Sequence, residues 1–317
     1  MPIRIFVIEQ APDLYIGRFA PSPSGPLHFG SLLAAVASYL QARINNGRWL
    51  VRIEDIDPPR EQAGADTLIL DALAAYGFEL DGPVSYQSES AHLQQAAVDD
   101  LLRRKLAYPC QCSRRMLENV PVGPLGAIYP GTCRNGCSST DVAIRVRTDN
   151  EPIEFEDGLQ GSMVQRLESE SGDFVIKRRD GLIAYHLAVV VDDQQQGISE
   201  IVRGVDLLDS TPRQIYLQRL LGFRTPDYLH IPVAINFDGQ KLSKLTGASG
   251  ISVDAPGQTL VAALAALRQV VTPGLELSTL SEIWDWATTN WNPAPLIGLT
   301  SVPDEQGSLA AGKNGLR

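Results

Sequence analysis

The chain has 317 residues, 44% apolar and 20% charged, the balance of a globular protein able to bury a sizeable core. Its 27 basic and 37 acidic side chains give a net charge of −10, which excludes a protein that coats nucleic acid non-specifically but not one with a local basic face. No apolar run is long enough to span a bilayer, and residues 3–8 are too short and poorly flanked for a secretory signal, so a cytoplasmic protein with no membrane contact is expected.

Taken in chain order, residues 15–19 read as a buried strand entering the Pro/Ser/Gly loop 21–26. A helix rich in Ala and Leu is predicted over 31–44, stopped at Asn46 and Gly47, and a strand over 49–53. Strand, loop, helix and strand in this order form a βαβ unit, so an α/β fold on a doubly wound parallel sheet is expected. Helices follow over 61–76, ended by Gly77, and over 91–105. A turn-rich stretch with Pro121, Pro124 and Pro130 then interrupts the pattern, with short strands predicted at 143–147, 154–156 and 174–177. The α/β pattern resumes with 184–191, 201–204 and a helix over 211–221, and helices are predicted at 258–271 and 280–290. This divides the chain into a first half of an α/β domain (13–106), an insertion (107–174), the second half (175–245), a helical region (246–300) and a disordered tail (301–317).

Two basic clusters could supply a local basic face: Arg103, Arg104 and Lys105 with Arg114 and Arg115, and Lys177, Arg178 and Arg179. All four cysteines, Cys110, Cys112, Cys133 and Cys137, fall inside the insertion. Such clustering suits a tetrahedral zinc site better than a disulfide framework, and chemistry alone would choose the four thiols. No base or nucleophile accompanies them, so a structural metal is expected.

Between the first strand and first helix lies the run from Gly17 to Ser31, where a parallel sheet offers backbone N–H groups and a positive helix terminus to an anion. Gly25 and Gly30 permit close backbone approach, and His28 can donate to a phosphate oxygen. Far along the chain, Gly239-Gln240-Lys241-Leu242-Ser243-Lys244 spaces two lysines by three on a glycine-led loop, which suits a clamp on a triphosphate.

Together these segments resemble the HIGH and KMSKS signatures of the class I aminoacyl-tRNA synthetases. Arg18-Phe19-Ala20-Pro21-Ser22-Pro23-Ser24-Gly25, followed by Arg52-Ile53-Glu54-Asp55-Ile56-Asp57, is similar to the glutamyl subgroup. His28-Phe29-Gly30-Ser31, the continuation Pro58-Pro59-Arg60 and Arg179-Asp180-Gly181 resemble its glutamyl-Q tRNA(Asp) synthetase family. Ser31 stands where the wider class has histidine, and the resemblance marks it as a feature of this subgroup.

The resemblance implies a Rossmann-type catalytic domain with a zinc-binding insertion and a short helical C-terminal region. It implies His28, Gly30, Lys241 and Lys244 as catalytic residues, and ATP held by His28, Gly30, Ser31, Lys241, Leu242, Ser243 and Lys244. Glutamate is implied to sit among Arg18, Phe19, Ala20, Pro21, Ser22, Glu54, Tyr185 and Arg203, with Glu54 on the α-ammonium and the arginines on carboxylate. Zinc ligands are implied to be Cys110, Cys112, Tyr129 and Cys133, because Tyr129-Pro130-Gly131-Thr132-Cys133 fits the family pattern. Mg²⁺ is implied with ATP. The implied acceptor is the cyclopentene-diol of queuosine in tRNA(Asp). Two alternatives remain: a truncated glutamyl-tRNA synthetase charging the terminal adenosine, and a catalytically silent tRNA-binding protein. The short stretch after Lys244 argues against the first, and the intact motif residues against the second.

Overall fold

The computed structural model describes residues 14–236, 239–242 and 250–304. Strand β1 (Ile16–Phe19), helix α1 (Phe29–Ile44) and strand β2 (Arg48–Ile53) form the expected βαβ unit, with β1 and β2 parallel and Ile16 opposite Arg48. Helix α1 starts two residues before its predicted position because His28, in extended conformation, caps it. It stops where Asn46 takes a left-handed φ of 50°. Helix α2 (Ala65–Ala75) leads to β3 (Ser85–Tyr86), parallel to β2, and α3 (Ala91–Arg103) follows.

The next segment builds a small antiparallel sheet from β4 (Ala107–Cys110) and β7 (Ala143–Val146), with the hairpin β5 (Val122–Gly123) and β6 (Gly126–Ala127) beside it. Then come β8 (Ile153–Asp157), β9 (Gly161–Gln165), the single turn α4 (Leu167–Glu170) and β10 (Val175–Lys177), the last pairing with β7. Helix α5 (Tyr185–Gln196), β11 (Glu200–Gly204), α6 (Thr211–Leu221) and β12 (Asp227–Ile231) restore the α/β alternation. β11 and β12 are parallel, and β8 adds to β12 through Tyr228 and Asp157. The predicted insertion 107–174 is therefore only partly separate, because β8 and β9 inside it belong to the sheet of β11 and β12. Ser199 ties that sheet to the first, its N–H donating to Ile16 O at 2.9 Å and its Oγ accepting from Ile16 N at 2.8 Å.

β13 (Val233–Ile235), α7 (Pro256–Ala266), α8 (Leu280–Asn290) and β14 (Ser301–Pro303) complete the described chain. β14 pairs in parallel with β13, and Val302 is buried, which corrects the expectation of a disordered tail from residue 301. Residues 305–317 of that tail lie outside the described residues.

The period of two along each strand divides the core in two. Phe19, Trp49, Val51, Ile53 and Val202 face the layer of α1, α2, α7 and α8. Ile16, Ile201 and Tyr228 face the layer of α3, α5 and α6. Helices thus cover both faces of a parallel sheet, the arrangement the βαβ pattern predicts. Tyr39, Trp49, Phe78 and Trp284 cluster with ring centroids 4.7–5.3 Å apart and lock α8 onto α1. Among the described residues no helix is long and apolar enough to cross a membrane.

Candidate active site

The loop between β1 and α1 is fastened before any ligand arrives. Glu54 N donates to Pro21 O and Gln62 N to Pro23 O, each at 2.9 Å. Gly25 has φ 136°, a conformation that favours glycine. The His28 ring folds over the first turn of α1, where Nδ1 accepts from Ser31 N at 3.2 Å and Ser31 Oγ lies 3.0 Å from Nε2. A Cβ on Gly30 would stand 3.3 Å from the His28 ring and 3.7 Å from Leu242 O, so the two motifs meet across a glycine. The helix N-terminus, with its positive dipole end, faces this junction.

Strand alternation carries the charged side chains to the other face. Arg18 and Arg52 follow Ile16 and Leu50 at spacing two, Glu54 follows Arg52, and Arg203 follows Ile201, so all four face α5. All four are buried, as is Asp193 of α5. Asp193 Oδ1 lies 3.2 Å from Arg18 Nε and 2.8 Å from Arg52, and Arg52 Nη2 lies 3.3 Å from Glu54 Oε1. Burial pushes the Asp193 carboxyl up, but Arg18 and Arg52 outweigh it and hold the group below the usual carboxylate range. In Glu54 burial wins over Arg52 and Arg18, and the carboxyl is raised. Burial likewise raises the Tyr185 hydroxyl, against the pull of Arg203. Arg203 donates through Nε to His230 Nε2 at 3.0 Å and through Nη2 to Thr211 Oγ1 at 2.9 Å.

Arg18, Glu54, Tyr185 and Arg203 line a cavity of about 680 Å³, whereas Arg52, Asp193 and His230 stand behind its lining. Phe19, Ala20, Pro21, Ser22, His28, Gly30 and Ser31 line it as well. Lys241 and Leu242 join from the second loop. Leu242 N donates to Ala234 O at 2.8 Å, and Ile251 N, beyond the loop, donates to Leu27 O at 2.8 Å. Lys241 Nζ pairs with Asp206 Oδ2 at 2.5 Å. Ser243 and Lys244 lie outside the described residues. Every predicted cavity residue that is described thus converges on one space. Sequence reasoning missed Arg52, Asp193, Asp206 and His230. Two adjacent acids after three valines in α5, and one histidine in the apolar strand β12, were the available signals, since buried polar groups require partners.

The cysteine region forms a second centre. The thiols of Cys110, Cys112 and Cys133 lie within 4.8 Å of one another. Tyr129 Oη is 3.3 Å from Cys110 Sγ and 3.6 Å from Cys112 Sγ, and Cys112 Sγ is 3.7 Å from Cys133 Sγ. Thiolates about 2.3 Å from a tetrahedral ion stand about 3.8 Å apart, so these donors fit zinc. Cys137 stands outside the group, its thiol 3.5 Å from Pro109 O. Arg145 Nε lies 3.3 Å from Cys110 Sγ, and its guanidinium stacks 4.0 Å over the Tyr129 ring.

Four arginines of the two predicted basic clusters have acidic partners, while Lys105, Arg114 and Arg115 are exposed. Arg103 and Arg104 both pair with Asp100, Arg178 with Asp57 and Asp180, and Arg179 with Asp141.

A family model described as tRNA synthetases class I (E and Q), catalytic domain, matches residues 16–123 and 130–285. Among curated proteins, the glutamyl-Q tRNA(Asp) synthetase of Pseudomonas aeruginosa is 50% identical over 293 residues, covering 92% of this chain and 98% of that protein. The protein of the same name from Pseudomonas putida is 51% identical over 291 residues, covering 92% and 95%. Among solved structures, a glutamate tRNA ligase from Elizabethkingia meningosepticum in complex with its amino acid superposes with a TM-score of 0.75 at 21% identity, covering 92% of this chain and 67% of that one. The glutamate-tRNA synthetase of Elizabethkingia anophelis gives 0.77 at 22% identity, with 92% and 68% covered. At these identities the two structures establish the fold.

Proposed function

The chain belongs to the glutamyl-Q tRNA(Asp) synthetase family within the class I (E and Q) tRNA synthetases and is a ligase, and from that premise we propose that it activates glutamate with ATP and transfers it to queuosine in the anticodon of tRNA(Asp). One observation carries the reading: a single cavity gathers Glu54, Arg18, Arg203 and Tyr185 together with the His28 loop and Lys241. Glutamate brings one ammonium and two carboxylates. Glu54 matches the ammonium, and the two arginines match carboxylate, each charge-assisted bond contributing about 1.5–3 kcal/mol.

A glutamate carboxylate oxygen attacks the α-phosphorus, the bond to the leaving pyrophosphate breaks, and glutamyl-adenylate forms. His28 and the N–H groups opening α1 stabilise charge growing on the phosphate, and Lys241, with Lys244, follows the pyrophosphate. Mg²⁺ bound with ATP would offset the phosphate charge. A hydroxyl of the queuosine cyclopentene-diol then attacks the acyl carbon, and AMP leaves. The protein's part is positioning and electrostatics. Cys110, Cys112, Tyr129 and Cys133 would hold zinc as a structural cross-link of the insertion. The acceptor rests on the family, and its recognition would require a splayed-out anticodon base.

Transfer of labelled glutamate to purified tRNA(Asp) tests this. Label is expected on tRNA containing queuosine, absent from the same tRNA with guanosine there, and retained after the terminal adenosine is trimmed. Label that leaves with that adenosine, with queuosine dispensable, identifies a charging enzyme instead.

A further inference from the structure

Behind Arg203 runs a buried chain of polar groups that the chemistry above does not use. Arg203 Nε donates to His230 Nε2, and His230 Nδ1 lies 2.5 Å from Asp157 Oδ2. Neither the His230 nor the Asp157 side chain is exposed at all (0% and 0%). Asp157 Oδ1 accepts from the backbone N–H of Leu159 at 3.0 Å, Gln160 at 2.9 Å and His230 at 3.2 Å. Burial pushes this carboxyl up, but His230 and those amides outweigh it and keep it ionised. Asp157 ends β8 and His230 sits on β12, so the pair is braced where the two strands meet.

The proton positions follow from the donors. A guanidinium Nε only donates, so His230 must present a lone pair at Nε2 and carry its proton on Nδ1, toward Asp157. A protonated ring would set N–H against N–H. Arg203 Nη2 is held by Thr211, also neutral, and Nη1 is buried with no partner among the described residues. Neutral acceptors aim the guanidinium without cancelling its charge. Arg18 and Arg52, by contrast, share the anionic Asp193.

We propose that Asp157 and His230 are positioning residues that orient Arg203 without a direct ion pair to it, and so set the preference for a carboxylate over an amide in the bound amino acid. The inference rests on the proposed function and on Arg203 meeting the side-chain carboxylate of glutamate, the group in which glutamine differs.

Glutamate-dependent ATP–pyrophosphate exchange is measured for the wild-type protein, His230→Leu, His230→Gln and Asp157→Asn, with glutamine as competing substrate and melting temperature recorded for each. In His230→Leu the glutamate KM is expected to rise about 10- to 100-fold, with a similar fall in preference over glutamine and an ATP KM that stays within about twofold. His230→Gln keeps an acceptor for Arg203 and should recover most of the loss. A merely structural role would lower the melting temperature and kcat without moving the glutamate KM or the preference. A folded His230→Leu protein with both unchanged overturns the proposal. Should that variant not fold, Asp157→Asn decides: a glutamate KM raised at least about threefold supports the proposal, and an unchanged one overturns it. Wild-type protein without glutamate-dependent exchange overturns the glutamate assignment itself, an outcome visible before any variant is made.

Discussion

Tyr129 stands beside the three grouped thiols, where a tetrahedral ion would take its fourth ligand. Its hydroxyl touches Cys110 and Cys112 and accepts from Cys133 N at 3.0 Å, whereas Cys137 points to Pro109. Burial and the neighbouring thiols raise the phenol well above its ordinary range, so only a cation would ionise it. Gly172 holds the tyrosine in place: it bridges to Tyr129 with φ 64°, and a Cβ there would overlap the Tyr129 carbonyl and amide. The purified protein should contain about one zinc per chain, retained in Cys137→Ser and held at least about tenfold more weakly in Tyr129→Phe, as read by chelator competition. Gly172→Ala should weaken the metal by displacing the ligand. Retention in Tyr129→Phe with loss in Cys137→Ser would transfer the fourth position to Cys137.

Among the elements, β14 is the one composition hid. Its residues are few and its neighbours Gly- and Ser-rich, yet Val302 is 1% exposed and packs in the core that also holds α1. It pairs with β13, and Val233 N donates to Thr300 O at 3.1 Å and Asp304 N to Ile235 O at 2.9 Å. β13 leads straight into the loop that carries Lys241, so β14 braces one end of the second motif. Val302→Ala removes two buried methyl groups and should cost about 2 kcal/mol by urea titration. The same variant should raise the KM for ATP more than that for glutamate. Equal effects on both would show that β14 supports the fold without bracing the loop. Helix α1 was legible from its composition and its Asn46-Gly47 stop, but its start was not, because the cap is His28, an expected catalytic residue.

At the scale of the whole molecule, stability should depend on pH through histidines kept neutral. Burial pulls His186 down to about 3, with Arg213 and Arg203 adding to it. An unfolded histidine takes its proton near pH ~6.5, so below that value the unfolded state binds more protons and stability falls with pH, by about 1.4 kcal/mol per unit. Because burial raises Glu54, Asp192 and Glu200, which act in the opposite sense, the histidine is best isolated by difference. His186→Phe suits a site lined by Phe174 and Tyr185. Its stability relative to wild type should improve by about 2 kcal/mol between pH 6.5 and pH 5, and a constant difference would show that His186 is not held neutral. The sequence by itself determined the βαβ entry, the parallel α/β class and the two motif loops, because strand period and glycine position are written within a few neighbouring residues, while the residues that line the cavity were implied by the family resemblance those loops carry. It also determined the cysteine cluster, whose spacing is short. Only the tertiary structure decided that β8 and β9 rejoin the sheet, that β14 is a strand, and that Tyr129 stands closer to the thiols than Cys137 does. Only it paired Arg18 with Asp193 and Arg203 with His230 and Asp157. Those partners meet across separate strands and helices, and no local period records which distant element will lie alongside.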